Sequence, residues 1–156
     1  MARKTFRNSH RFSKKTWQTS DNLKDSKKEK RLFQKHLSKL HDQRKETFGC
    51  DERKKIEDEI NGIVKQWNRD HNETFRKYDL HGMMVDEAEE YIQEIVSVLR
   101  RRNIKQVEVI TGRGNHSTNN TPFIKNHLLT CFNGCCCDCQ FNTHEYNDGS
   151  LWLRIH

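Results

Sequence analysis

A chain of 156 residues has room for one modest domain and an appendage. With 32% hydrophobic residues and a mean hydropathy of -1.09, any core must be small and locally concentrated. No stretch approaches the ~18–20 apolar residues of a membrane span, and the first 20 residues lack the apolar run of an export signal.

The formal charge of +7 sits in the N-terminal third. Residues 1–47 hold 15 Lys/Arg against 5 Asp/Glu, and residues 48–156 hold 14 against 17. Residues 1–24 are rich in Lys, Arg, Ser, Thr and Asn without sustained periodicity, and read as a disordered basic arm. Such an arm suits phosphates or an acidic surface, while the remainder does something more particular.

From Asp25 the pattern turns helical, with Leu32, Phe33, His36, Leu37 and Leu40 at helical spacing. Phe48-Gly49-Cys50 breaks the run, and Asp51 is expected to cap a second helix with the stripe Ile56, Ile60, Ile63, Val64 and Trp67. Residues 25–74 thus form a helical hairpin, which would bury little unless it packs on itself, on the next domain or on a partner.

Residues 75–156 alternate strand and helix. Phe75–Leu80 reads as a strand ending at His81-Gly82. A helix opens at Asp86 with acids in its first turn, buries Ala88, Tyr91, Ile92, Ile95, Val96, Val98 and Leu99, and closes on Arg100–Arg102, with Asn103 as a left-handed stop. Gln106–Ile110 is a β-branched strand. The loop TGRGNHS follows, then a helix from Thr121-Pro122 that stops at Asn133-Gly134. Two strands, Asp138–Tyr146 and Leu151–Ile155, flank the turn Asn147-Asp148-Gly149. The order β-α-β-α-β-β predicts an α/β two-layer sandwich, with helices on a small mixed sheet.

The crossover helix makes the first two strands parallel, so their C-terminal ends open on one edge, where open α/β sheets bind ligands. Asp79 and His81 come from the first strand. An aspartate two residues before a histidine reads either as a carboxylate fixing the tautomer of a general base or as a structural pair at a turn. From the second strand come Thr111, Gly112, Arg113, Gly114, His116 and Ser117. Gly112 and Gly114 would turn backbone N–H groups toward a phosphate, and Arg113 would add a fork of donors. The same glycines also fit a tight strand-to-helix turn.

Asp79-Leu80-His81-Gly82 with Val85-Asp86-Glu87-Ala88 resembles the opening of the Smr (small MutS-related) domain. Thr111–Ser117 resembles its second motif, and Asn147-Asp148-Gly149 with the closing strand its third. The helical hairpin resembles a diverged form of the short helical region preceding many eukaryotic Smr domains. The sequence departs from the family at Tyr78, where an aliphatic residue is usual, and at Asn119-Asn120, where a Gly is common. Asparagine tolerates a left-handed backbone, so that turn is expected to survive.

The resemblance implies a fold like the C-terminal domain of bacterial translation initiation factor three. It also implies endonuclease or nicking activity on RNA or DNA, with ribosome-linked messenger RNA decay or rescue in some members. It makes Asp79 and His81 the active pair and Gly112, Arg113 and Gly114 the phosphate-facing loop. On RNA, His81 would take the 2′-hydroxyl proton and Arg113 would stabilise the transition state, with no cofactor required. On DNA, water or a metal-bound hydroxide must attack instead, calling for a divalent ion. His116 is either the acid for the leaving oxygen or a helix cap. The alternative to a nuclease is a non-catalytic module docking on RNA or the ribosome.

Of six cysteines, five lie between Cys131 and Cys139. They lack the paired C-x-x-C spacing of a zinc site and read as small apolar residues, so no metal ligands are expected. Adjacent thiols without an export signal point to a reduced compartment, cytoplasmic or nuclear.

Overall fold

The computed structural model describes residues 21–115, 117–133 and 138–156. Most of the expected basic arm, His116 and the three adjacent cysteines at 135–137 lie outside the described residues. The chain divides into two compact units, one ending at Lys35 and one running from His36 to His156. In the first, helix α1 (Asp21–Glu46) has already begun at Asp21, inside the stretch read as disordered. No Gly or Pro stands in that stretch to stop a helix extending toward its N-terminus.

The second unit holds the end of α1 and everything after it. Helix α2 (Cys50–His71) starts after Gly49, whose extended backbone takes the cap position without a side-chain bond. Asp51, expected there, lies instead in the first turn beside Glu52, where a negative charge still suits the helix dipole. Arg44 and Glu57 tie α1 to α2 at 2.6 Å. The fully buried side of α2 is Ile60, Asn61, Val64 and Asn68, rotated from the apolar stripe read in the sequence; Ile56, Ile63 and Trp67 are only half-buried. Two asparagines occupy buried positions because each finds backbone partners across the interface. Asn61 Oδ1 accepts the Met84 amide at 3.0 Å, and Asn68 holds the next strand.

That strand, β1 (Lys77–Asp79), is shorter than the expected Phe75–Leu80. Phe75 has φ 55° and its amide bonds to Asn72 O, so a tight turn occupies the start of the predicted strand. Helix α3 (Val85–Arg101) and strand β2 (Gln106–Ile110) follow closely where the periodicity placed them, and Asn103, at φ 54°, supplies the left-handed stop. After a short 3-10 turn, Thr118–Asn120, come α4 (Phe123–Asn133), β3 (Cys139–Thr143) and β4 (Ser150–Ile155). Asn119 and Asn120 adopt φ 58° and 51°, as expected of asparagines standing in for glycine.

The sheet order is β1-β2-β4-β3, with β1 parallel to β2 and the other pairs antiparallel. The structure is thus the expected β-α-β-α-β-β layer arrangement behind a helical hairpin. Val107, Val109, Phe141, Leu151, Leu153 and Ile155 alternate onto one buried face of the sheet. Ala88, Ile92 and Leu99 of α3 and Ile124, Leu128 and Phe132 of α4 supply the apolar sides of the helices. On the other face Trp152 and Arg154 stay partly or fully exposed.

Both edge strands are closed by asparagine side chains. Asn68 donates to Asp79 O at 2.8 Å and accepts Asp79 N–H at 2.7 Å. Asn133 donates to Phe141 O at 2.8 Å and accepts Phe141 N–H at 2.9 Å. A carboxamide offers one donor and one acceptor side by side, so it imitates a neighbouring strand for one residue. Asn68→Ala leaves two buried backbone groups of Asp79 unpaired. It is expected to lower the unfolding free energy by about 2–4 kcal/mol, and Asn133→Ala, at an exposed position, by about 1–2 kcal/mol, as read from urea denaturation midpoints.

Candidate functional site

The C-terminal end of β1 is built by three restraints in succession. Asn68 fixes the peptide of Asp79 from outside the sheet, while Leu80 N–H bonds to Ile110 O at 2.8 Å and seats Leu80 in the core. The Asp79 carboxylate then turns back on the chain. Its Oδ1 accepts the His81 amide at 3.1 Å and lies 3.0 Å from His81 Nδ1. The strand has ended at Asp79, so strand alternation does not pair these two residues; a turn closed by the aspartate does.

The pair is asymmetric in exposure. The Asp79 side chain is 8% accessible and that of His81 31%. A carboxylate accepts hydrogen bonds, so this contact is made with His81 Nδ1 as the donor. Gly82, at φ +83°, reverses the chain immediately afterward, and a Cβ there would stand 2.7 Å from Leu37 Cδ2. The turn therefore favours glycine on backbone grounds, and a Cβ there would also push on the buried Leu37 side chain.

The second loop lies against this turn. Gly112, at φ +82°, has space for a Cβ only 3.5 Å from that of His81. Its amide, however, does not face the open edge as expected for an anion cradle. Thr111 N–H and Gly112 N–H both donate to Gly149 O, at 2.8 and 3.0 Å. The turn before β4 places that carbonyl: Asn147 Oδ1 accepts Gly149 N–H at 3.1 Å, and Asn147 O accepts Ser150 N–H, of the same peptide unit as the carbonyl, at 3.0 Å. Thr111 is buried, with its hydroxyl 3.4 Å from the same carbonyl. Gly114, at φ +79°, presses on the start of α4, where a Cβ would meet Thr121 C at 2.5 Å. Ser117 is half-buried and donates its amide to Gly114 O. Arg113 is exposed between the two glycines.

Asp79, His81 and Gly112 are therefore side by side, with Arg113 on the adjoining loop. Thr111 and Gly114 serve the loop's own packing, and His116 lies outside the described residues. Chemically, the arrangement offers an imidazole held by a carboxylate, beside a loop that carries an exposed guanidinium.

Three residues that shape this edge are invisible to motif reading. Asn61 and Asn68 are polar, and only their seven-residue spacing beside Ile60 and Val64 sets them on the buried side of α2. The third is His41 of α1, whose Nε2 stands 3.2 Å from the space a Gly82 Cβ would fill. That nitrogen is buried without a hydrogen bond of good geometry among the described residues.

Residues 78–150 match the Smr domain family, and this part of the chain is an Smr domain. An Smr domain-containing protein of Schizosaccharomyces pombe is 30% identical over 77 residues, covering 49% of this chain and 36% of its own length. The chain thus spans about a third of that relative. Among solved structures, the B3BP Smr domain is 27% identical with a TM-score of 0.47, over 61% of this chain and 90% of that one. YdaL, a stand-alone small MutS-related protein from Escherichia coli, is 13% identical with a TM-score of 0.45, over 60% and 74%.

Burial lowers the basicity of His41 below its ordinary value of 6.5, against an opposing effect of the Gly82 backbone; Arg44, Lys45 and His81 add to the lowering. The folded protein therefore keeps His41 neutral, and the unfolded chain binds its proton more readily. The contribution to stability is complete above 6.5 and is lost as pH falls through the lower, folded value. Urea midpoints measured from about pH 7.5 down to pH 5 are expected to decline, and His41→Gln to flatten that decline.

Proposed function

We propose that this Smr domain is an endonuclease acting on RNA, with His81 as general base and Asp79 as the group that orients it. What supports this reading is the pair's asymmetry. A buried carboxylate holds Nδ1–H, and Nε2 belongs to a ring with solvent access beside a loop bearing Arg113. His81 Nε2 takes the proton of a ribose 2′-hydroxyl, and the freed oxygen attacks the adjacent phosphorus. The bond from phosphorus to the 5′-oxygen breaks, leaving a 2′,3′-cyclic phosphate and a 5′-hydroxyl end. The departing oxygen takes its proton from an acid, a role open to His116 or solvent. Arg113 meets the charge gathering on the non-bridging oxygens.

The excess of Lys/Arg over Asp/Glu in residues 1–47 supplies affinity for the phosphate backbone, which falls steeply with salt. Binding without cutting, as a module docked on RNA or the ribosome, would use the same basic segment. DNA is the alternative substrate, and it lacks the 2′-hydroxyl that this route requires.

Labelled single-stranded RNA incubated with the purified chain is expected to yield cyclic phosphate ends in the presence of chelator. His81→Ala should slow cleavage by about 10²–10⁴-fold with RNA binding retained. Asp79→Asn should also slow it, through loss of the preferred tautomer. RNA bound but never cut by the unaltered chain would favour the docking module. Cutting of DNA abolished by chelator would replace the proposed attack with metal-activated water.

A further inference from the structure

Helices α3 and α4 touch, and where they meet three donors of different chemistry face one another. Glu89 comes from the second turn of α3. His127 and Cys131 lie one turn apart on the same face of α4. We propose that Glu89, His127 and Cys131 form a binding site for one zinc-class divalent ion, held through a carboxylate oxygen, an imidazole nitrogen and a thiolate sulfur.

The separations suit one ion. One ligand atom from each residue lies within 4.8 Å of the other two. Bonds of about 2.0–2.3 Å at tetrahedral angles place ligand atoms roughly 3.3–3.7 Å apart. Cys131 Sγ is 3.6 Å from His127 Nε2, inside that range. His127 Nε2 and Glu89 Oε2 are closer, at 2.6 Å, as a hydrogen bond between them requires. An ion replaces the proton they share, and a small rotation of the half-exposed Glu89 opens the contact. On binding, the proton between them moves to His127 Nδ1, so the ring stays a neutral imidazole, and the thiol proton of Cys131 leaves to solvent; no electron is transferred.

Ligand type sets the choice of ion. A thiolate and an imidazole favour zinc, cobalt or another borderline-soft ion over magnesium or calcium, which prefer all-oxygen shells. The partial exposure of Glu89 and His127 and the exposure of Cys131 give the ion an entry path and leave a fourth position for solvent or another donor. Because the ligands come from two helices, the bound ion also staples α3 to α4. The site shares no residue with the Asp79–His81 pair, so either reading can fail without the other.

The test is cobalt titration of the full chain, stripped of metal, in a background carrying Cys135→Ser, Cys136→Ser and Cys137→Ser. That background removes thiols that lie outside the described residues. The expected result is one equivalent bound, with tetrahedral visible bands and a thiolate-to-cobalt charge-transfer band, displaced by zinc and untouched by excess magnesium. Cys131→Ser should abolish the charge-transfer band. His127→Ala and Glu89→Gln should each weaken binding at least about tenfold. Metal-free circular dichroism matching the parent shows that each variant is folded. Absence of cobalt bands in the background protein, or bands that survive both Cys131→Ser and His127→Ala in folded protein, would overturn the proposal.

Discussion

One carboxamide carries the geometry of the candidate site. The outward-facing amide and carbonyl of Asp79 have no fifth strand to bond with, and Asn68 satisfies both from the buried side of α2. The Asp79 carboxylate then fixes both the backbone and the ring of His81. A restraint thus runs from a helix outside the matched domain, through the strand, to the imidazole. The buried Asn61 bond to Met84 and the ion pair of Lys65 with Glu87, at 2.7 Å, add two further ties between α2 and the start of α3. Within this unit, α2 acts as the missing flank of the sheet.

Elements defined by repeated side-chain chemistry were legible in the sequence. The β-branched run Gln106–Ile110 and the strongly amphipathic α3 sit close to where periodicity placed them. So does the sheet edge they share, because a right-handed crossover leaves little choice. Elements decided by single polar contacts were not legible. Buried asparagines look like surface residues until a backbone partner from another element is known. The strand expected from Phe75 loses its first residues to a turn that hydropathy does not register.

The site was legible to a similar degree. Asp79 and His81 meet, although through a turn and not through strand alternation. The glycine loop is beside them, but the Gly112 amide points to Gly149, 37 positions along the chain. No local pattern encodes that bond. Its acceptor is set by Asn147 and Ser150, and the Ser150 hydroxyl donates in turn to Glu108 of β2. The third motif is therefore a clasp on the second, which accounts for its place in the domain without assigning it to substrate. The cysteines divide similarly. Cys139 is buried in β3 as an apolar residue would be, while Cys131 stands exposed beside His127.

The strand order has a consequence for how the protein is made. β4 is the last strand of the domain to leave the ribosome, yet it lies between β2 and β3. Until it is synthesised, β2 is paired on one side only and neither antiparallel ladder exists. A nascent chain halted before residue 150 would hold a two-stranded fragment with an open, β-branched border, a ready partner for aggregation or for a chaperone. Completion of this sheet waits on the synthesis of an inner strand, and arrest before that point would leave one side of β2 unpaired.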